Sequence, residues 1–461
     1  MYQGHLQFVK FRFILDEREN TMKFLSRFLA ATLCLAMLLT ACAPAQTPEP
    51  TQTTGEAGET APPPVSGEKV TINIWGFEGE TEFFPRLIEA FEAENPNIDV
   101  ELTEIPEGDY VTKIDTAMLA GEGPDIAFVY VPRWLKAGKF LSLEGVIEQY
   151  NIPFEDYNQG AITRDCVFEG KVYCLGTYTG AIILVYNKAV FDKFGVPYPS
   201  ATEPMSMQEY FDMTLKLTQK SDNLEERIWG GDAWPYYWWM DWRTHLSDDA
   251  RKAEGYVNDD ATVKAYQLLA DMRSAGSAMT SSEGALVQME GVDLLVQGRL
   301  ATTIVDNIVS IPAVEAAGIP WGAAIVPTER KGDQPWTTTW TDGFGVLSSS
   351  KHPEEALKFI AYMGTKGNEL RLELGDLPLN MKLASKWAGD SEGRKQAIAA
   401  IAYARENLFC PGYWEAVPMV EDAFISMLEE GVSAKDALDA IAPEIQNVLD
   451  QTWETFEEAG Q

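Results

Sequence analysis

From Val70 onward, short extended-looking runs take turns with segments of helical spacing, and this alternation limits the chain to one class of architecture. Val70-Thr71-Ile72-Asn73-Ile74-Trp75-Gly76 alternates apolar and polar residues, as a strand with one buried face does. Phe84, Leu87, Ile88 and Phe91 follow at helical spacing and stop at Asn95-Pro96. Ile98-Asp99-Val100-Glu101-Leu102 reads as a second strand. Ile114, Ala117, Met118 and Ala120 mark a second helix closed by Gly121. Asp125-Ile126-Ala127-Phe128-Val129-Tyr130 is nearly continuous in apolar residues, as a parallel strand covered on both faces should be. A βαβαβ order predicts an open α/β sheet, and such sheets bind ligands beyond the carboxyl ends of their strands.

The segment that folds, about 69–458, is too long for a single core and predicts two domains. Before it lies a different kind of sequence. Met22, Lys23 and Arg27 precede an apolar run from Phe28 to Leu39, too short to span a bilayer, and then Leu39-Thr40-Ala41-Cys42. This resembles the bacterial lipobox, which implies removal of residues 1–41 and lipid attachment at Cys42. Residues 42–68 are rich in Pro, Thr, Glu and Gly and read as a flexible tether. Residues 2–20 mix aromatic and charged side chains unlike a signal segment, so translation is expected to start at Met22.

The formal net charge of −34 becomes −36 once the five basic and three acidic residues of 1–41 are removed. Such a surface repels nucleic acid and anionic lipid, and no basic patch offsets it. Of the five cysteines, Cys166 and Cys174 flank Glu169-Gly170 symmetrically. A hairpin there would bring them face to face in an exported, disulfide-permissive chain, leaving Cys410 free and buried. No metal-ligand spacing or cofactor motif occurs, and no metal or cofactor is expected.

Seven short motifs then recur in order: Phe91-Glu92-Ala93-Glu94-Asn95-Pro96, Gly121-Glu122-Gly123-Pro124-Asp125-Ile126, Glu169-Gly170-Lys171-Val172-Tyr173, Val185-Tyr186-Asn187-Lys188, Gly298-Arg299-Leu300-Ala301-Thr302, Ser349-Ser350-Lys351-His352-Pro353-Glu354-Glu355-Ala356 and Gly375-Asp376-Leu377-Pro378. Together they resemble the bacterial extracellular solute-binding proteins of the carbohydrate-leaning family that includes maltose-binding protein. The resemblance implies a two-lobed periplasmic-binding-protein fold of type II, with hinge strands between the lobes and ligand in the interlobe cleft. It places the crossings near Tyr178, 336–340 and 376–380. One lobe would comprise 69–177 and 337–376, the other 178–336 and the helical 377–461. It also implies a monomer outside the cell membrane, held there only by the lipid on Cys42, that passes a sugar to the permease subunits of an ABC importer and catalyses nothing.

Sugars offer hydroxyls to planar polar groups and C–H faces to aromatic rings, so candidates are strand-end loops carrying both. Glu78 follows the first strand; Tyr130 and Arg133 follow the third. Tyr178 and Thr179 sit at the first crossing, and Asp306 and Asn307 follow the strand 301–305. For Glu78 and Asp306 the competing assignments are a solvated loop carboxylate or a helix N-cap. The cluster from Trp229 to Trp242 contributes Asp232, Trp234 and Tyr236, with Trp238 and Trp242 expected in packing. Trp336, Trp340 and Asp342 lie at the second crossing. Asp376 and Trp414 follow from the resemblance, Trp414 being as suited to a core as to a cleft.

Two other functions compete. A lipid-anchored glycan-active enzyme needs one carboxylate pair at fixed separation, and the sequence singles out none. His245 and His352 are the only histidines beyond Cys42, and no nucleophile-elbow or phosphate-loop motif occurs. The same fold with a polyamine or a glycerol phosphate differs only in ligand; a phosphate would want cations, for which Arg133 is the evident candidate.

Overall fold

A computed structural model describes residues 69–77, 79, 81–129, 131–234, 245–289, 291–404 and 410–459. Cys42, Glu78, Tyr130, Tyr236, Trp238 and Trp242 lie outside the described residues, as do the signal and tether segments.

The first sheet grows from the alternation at the start of the chain. Strand β1 (Val70–Phe77) buries Ile72 and Ile74 and pairs in parallel with β2 (Ile98–Ile105) and β3 (Ile126–Phe128). Helix Phe84–Glu94 buries Phe84, Leu87 and Phe91 against this sheet and ends before Pro96, whose ring disfavours helical backbone at the residue preceding it. Helix Glu107–Ala120 ends at Gly121, which takes the left-handed conformation (φ 71°) that glycine adopts at least cost. The third strand is shorter than the sequence predicts, because the chain leaves the sheet at Val129 to begin helix Pro132–Lys136.

Strands β4 (Val167–Phe168) and β5 (Lys171–Val172) form the expected hairpin, turning through Glu169 and Gly170, both at positive φ. Cys166 and Cys174 are joined by a disulfide across it, and Cys410 is free and buried.

The second sheet is built around β6 (Gly180–Asn187), buried along its whole length. It lies antiparallel between β7 (Thr302–Asp306) and β8 (Trp321–Ala324), and its start pairs with β9 (Thr339–Trp340). Strand β10 (Phe344–Val346) then returns to the first sheet beside β3, giving the order β10-β3-β1-β2. The long helix Ala434–Glu458 packs on helices Asp260–Ser274 and Tyr413–Ile425, and its Phe456 ring meets Phe168 of the hairpin at 6.0 Å.

Among the described residues one core gathers around Ile74, Phe91 and Phe344 and a separate one around Ile183, Trp229 and Leu300. Three short segments join them and touch one another. Leu175 bridges Phe344, Tyr178 bridges Pro378, and Gly180 pairs with Trp340. At the last crossing, alternate side chains serve different lobes: Leu377 packs in the second core and Leu379 in the first.

The motifs shared with the family are mostly staples of this scaffold. Asp125 accepts from the Asn73 amide (2.9 Å) and the Ser350 hydroxyl (2.6 Å), tying two of those motifs together. Asn187 caps helix Lys188–Phe194 and donates to the Leu295 carbonyl at 2.9 Å. Arg299 donates to the Leu224 carbonyl at 2.7 Å and lies over the Trp229 ring.

Candidate functional site

The strand ends place polar and aromatic groups on both lobes. On the first, Arg133 opens helix Pro132–Lys136 just beyond β3 and pairs with Asp115 of helix Glu107–Ala120. The Trp134 indole donates to the same carboxylate at 2.7 Å. The guanidinium is half-buried and its charge is already balanced, which blunts it as a receptor for a phosphate.

On the second lobe, Asp306 is the last residue of β7 and the N-cap of helix Asn307–Ala316, accepting from the Val309 amide at 2.7 Å. Asp232 approaches the neighbouring stretch of β7 and accepts a hydrogen bond from the Thr303 hydroxyl. Burial of its carboxyl pushes the pKa up to about 7, against the pull of the Thr303 bond. Among the described residues no donor meets its buried Oδ1. Trp234 packs edge-on against Phe424 at 5.5 Å, and Phe424 belongs to the helix that carries Trp414. Trp414 is half-buried, edge-on to Tyr413 at 4.8 Å.

Between the lobes, Trp340 covers its cross-strand partner Gly180, where an added Cβ would come within 2.3 Å of the indole. The Arg164 guanidinium stands 6.0 Å from the ring centroid and donates to the Thr339 carbonyl at 3.0 Å. Beside it, burial raises the Asp165 carboxyl to about 6, although Arg164 and the Thr341 amide favour its charge. Trp336, by contrast, is buried (3 % exposed) and offers no face to a ligand.

Four residues expected at the ligand are instead committed to the crossings. Asp342, with no exposed surface, accepts from the Thr177 amide and hydroxyl at 2.5 Å each and from the Tyr178 amide at 3.3 Å. Thr179 is buried, its hydroxyl donating to the Pro378 carbonyl at 3.2 Å. Asn307 accepts from the Ala181 amide at 2.6 Å and donates to the Thr179 carbonyl at 3.1 Å, so both ends of its side chain are taken by main chain. Tyr178 is buried beneath Arg371, which also pairs with Asp376 at 3.2 Å. For Asp342, Thr179 and Asn307 the physical reason is shared: main-chain groups at and beside the crossings take these polar side chains as partners.

The sequence reading missed Arg164, Asp165 and Arg371. Local spacing does not mark them; their distant partners Thr339, Thr341, Thr177 and Asp342 come near only at the folded crossings. Among the described residues no group of His, Cys, Asp and Glu is arranged to hold a metal, and no helix is long and apolar enough to cross a membrane.

Comparison with known proteins gives a consistent result. The multiple sugar-binding protein of Streptococcus mutans is 23% identical over 397 residues, covering 80% of this chain and 88% of that protein. Among solved structures, an ABC substrate-binding protein from Listeria monocytogenes in complex with cycloalternan superposes with a TM-score of 0.70 at 20% identity, covering 83% of this chain and 99% of its own. UgpB from Mycobacterium tuberculosis in complex with glycerophosphocholine gives 0.65 at 19% identity, covering 83% and 98%. The family model described as bacterial extracellular solute-binding protein matches residues 78–369, and the chain belongs to that family.

Proposed function

We propose that the protein is the lipid-anchored, extracytoplasmic receptor of an ABC importer, capturing a sugar or oligosaccharide between its lobes and delivering it to a membrane permease. The lobes divide as 69–177 with 337–376 and 178–336 with 377–461. The residues that meet the ligand are Arg133 with Glu78 and Tyr130 from the first lobe, and Asp232, Trp234, Tyr236 and Asp306 from the second. Trp340 stands at the crossing between them, and Trp414 is a peripheral contact.

The supporting observation is the pairing of an indole platform, Trp340 over Gly180, with acceptor carboxylates on the second lobe, Asp306 at the end of β7 and Asp232 beside that strand. Hydroxyl-rich rings need both. Contacts made by two lobes at once favour the closed form, and no bond chemistry is required. Catalysis has no support from the histidines: His245 is buried and held neutral, and His352 begins helix Pro353–Tyr362. A glycerophosphodiester is disfavoured because Arg133 is already paired with Asp115.

The test is a thermal-shift screen with maltotriose, raffinose, arabinotriose, spermidine and glycerophosphocholine. Ligand at about 100 times its Kd stabilises the folded form by about 2.7 kcal/mol, so a binder is visible without an assay of turnover. A rise with an oligosaccharide supports the reading. A rise with spermidine or glycerophosphocholine alone discards the carbohydrate assignment, and sugar recovered hydrolysed discards the receptor itself. For the anchor, Cys42→Ser should move the protein from the membrane to the soluble fraction.

A further inference from the structure

Segments far apart in the chain meet on one guanidinium. Arg371 lies in the last turn of helix Asn368–Leu374 and is 12 % exposed. Its Nε donates to the Thr177 hydroxyl at 2.9 Å, its Nη2 to Asp342 at 3.3 Å and its Nη1 to Asp376 at 3.2 Å. Each acceptor belongs to a different crossing. The guanidinium also lies over two rings, Phe83 at 4.0 Å and Tyr178 at 4.9 Å. Phe83 is where the loop after β1 enters helix Phe84–Glu94.

One turn earlier, Asn368 repeats the pattern on the same face. It donates to the Gly176 carbonyl at 3.3 Å and accepts from the Asn380 amide at 2.8 Å, linking the first crossing to the third. A π turn at Met363–Gly367 precedes both residues. One residue inserted into a helix rotates all that follows by about 100°, so this turn sets which face meets the crossings.

We propose that Arg371 is a positioning residue for ligand capture. It fixes the ligand-free angle between the lobes by holding all three crossings, and it keeps the loop after β1 in register with them. This rests on the capture mechanism proposed above. Rotation about the crossings changes at least one of the three donor–acceptor distances, so the guanidinium has one preferred hinge geometry. Lysine cannot substitute, because a point charge neither reaches three acceptors in a plane nor stacks between two rings. Asp376 is the wettest of the acceptors (24 % exposed), and its bond is the one that gives first when the lobes move.

The test is a spin-label distance between Leu119→Cys and Leu286→Cys, 89% and 75% exposed on helices that serve different lobes. The full chain carries C34S and C42S; Cys166 and Cys174 are bonded and Cys410 is buried, so only the two introduced thiols label. Without ligand, the parent should give one narrow distance. R371K and D376N should each broaden or displace it. D376N takes the charge from a partly wet pair, so it should lower Tm by no more than about 4 °C. If both variants are folded and keep the parent distribution, even with a lowered Tm, Arg371 is only a structural brace and the proposal fails. No ligand enters this measurement, so a failed sugar screen leaves it standing, and a successful screen does not rescue it.

Discussion

Breaking the Cys166–Cys174 bridge should weaken the first lobe by a calculable amount. The sequence separation of 8 closes a very short loop. In the chain-entropy model a loop that short contributes about 2.5 kcal/mol. Reduction adds a packing cost, because two free thiols need more room than a bonded pair. Gly343 stands directly against them, where an added Cβ would lie 2.6 Å from the Cys174 sulfur. Overpacking of that kind costs about 1–3 kcal/mol, so full reduction should cost roughly 3.5–5.5 kcal/mol. At about 2–4 °C per kcal/mol for a lobe of this size, the lobe's melting transition falls by roughly 7–22 °C. Replacing both cysteines with alanine removes the crowding and leaves mainly the loop term, so C166A/C174A should melt above the reduced parent. Calorimetry with and without a phosphine reductant, with thiols counted in parallel, reads all three states. A fully reduced parent that melts with the oxidised one, or an alanine pair that melts lowest, would refute this account.

Other expectations follow from the same contacts. Burial depresses His245 to about 3, so the unfolded chain takes up a proton near pH 6.5 that the folded chain refuses. Its share of stability is present above pH 6.5 and is lost as pH falls towards 3, by about 1.4 kcal/mol per pH unit. Asp165 and Asp232, raised by burial, act in the opposite sense as pH rises, so the measurement is the difference between parent and His245→Gln across pH 4–7; parallel curves would exclude the assignment. Asp306→Ala should lose about 1 kcal/mol as a missing N-cap, whereas Asp306→Asn keeps the cap. Loss of sugar binding in a stable Asp306→Asn assigns the carboxylate to the ligand, and unchanged binding leaves it as a cap alone. Gly180→Ala pushes the Trp340 indole off its seat, costing about 1–3 kcal/mol and most of the sugar affinity; a variant that binds normally would show that the platform is not where the ligand stacks.

The scaffold was legible wherever its cause is local. Val70–Phe77 announces itself by period, Gly121 by its place after a helical run, and the hairpin by Glu169-Gly170 between symmetric cysteines. Asp306 was legible in position but open in role, because a strand-end carboxylate caps a helix and meets a ligand by the same lone pairs. The crossings were legible only as places. Asp342 meets Thr177 across 165 residues, and Arg371 meets that same threonine across 194. No period or spacing encodes such a meeting. The family motifs carry the least about ligand, since Asp125, Asn187 and Arg299 hold loops and helix starts in place.

Pro378 has a consequence for the thermodynamics of capture. It stands between Leu377 and Leu379, whose side chains are anchored in opposite cores, and it bridges Tyr178. Proline fixes its own φ near −65° and keeps the residue before it out of the helical region. With both neighbours anchored and one torsion locked, this crossing behaves as a strut that twists but does not fold. Ordering a slack linker on closure would cost about 1–2 kcal/mol for every residue fixed. On the proposed capture by closure, that ordering is already completed when the chain folds, so more of the ligand's contact energy would remain as affinity.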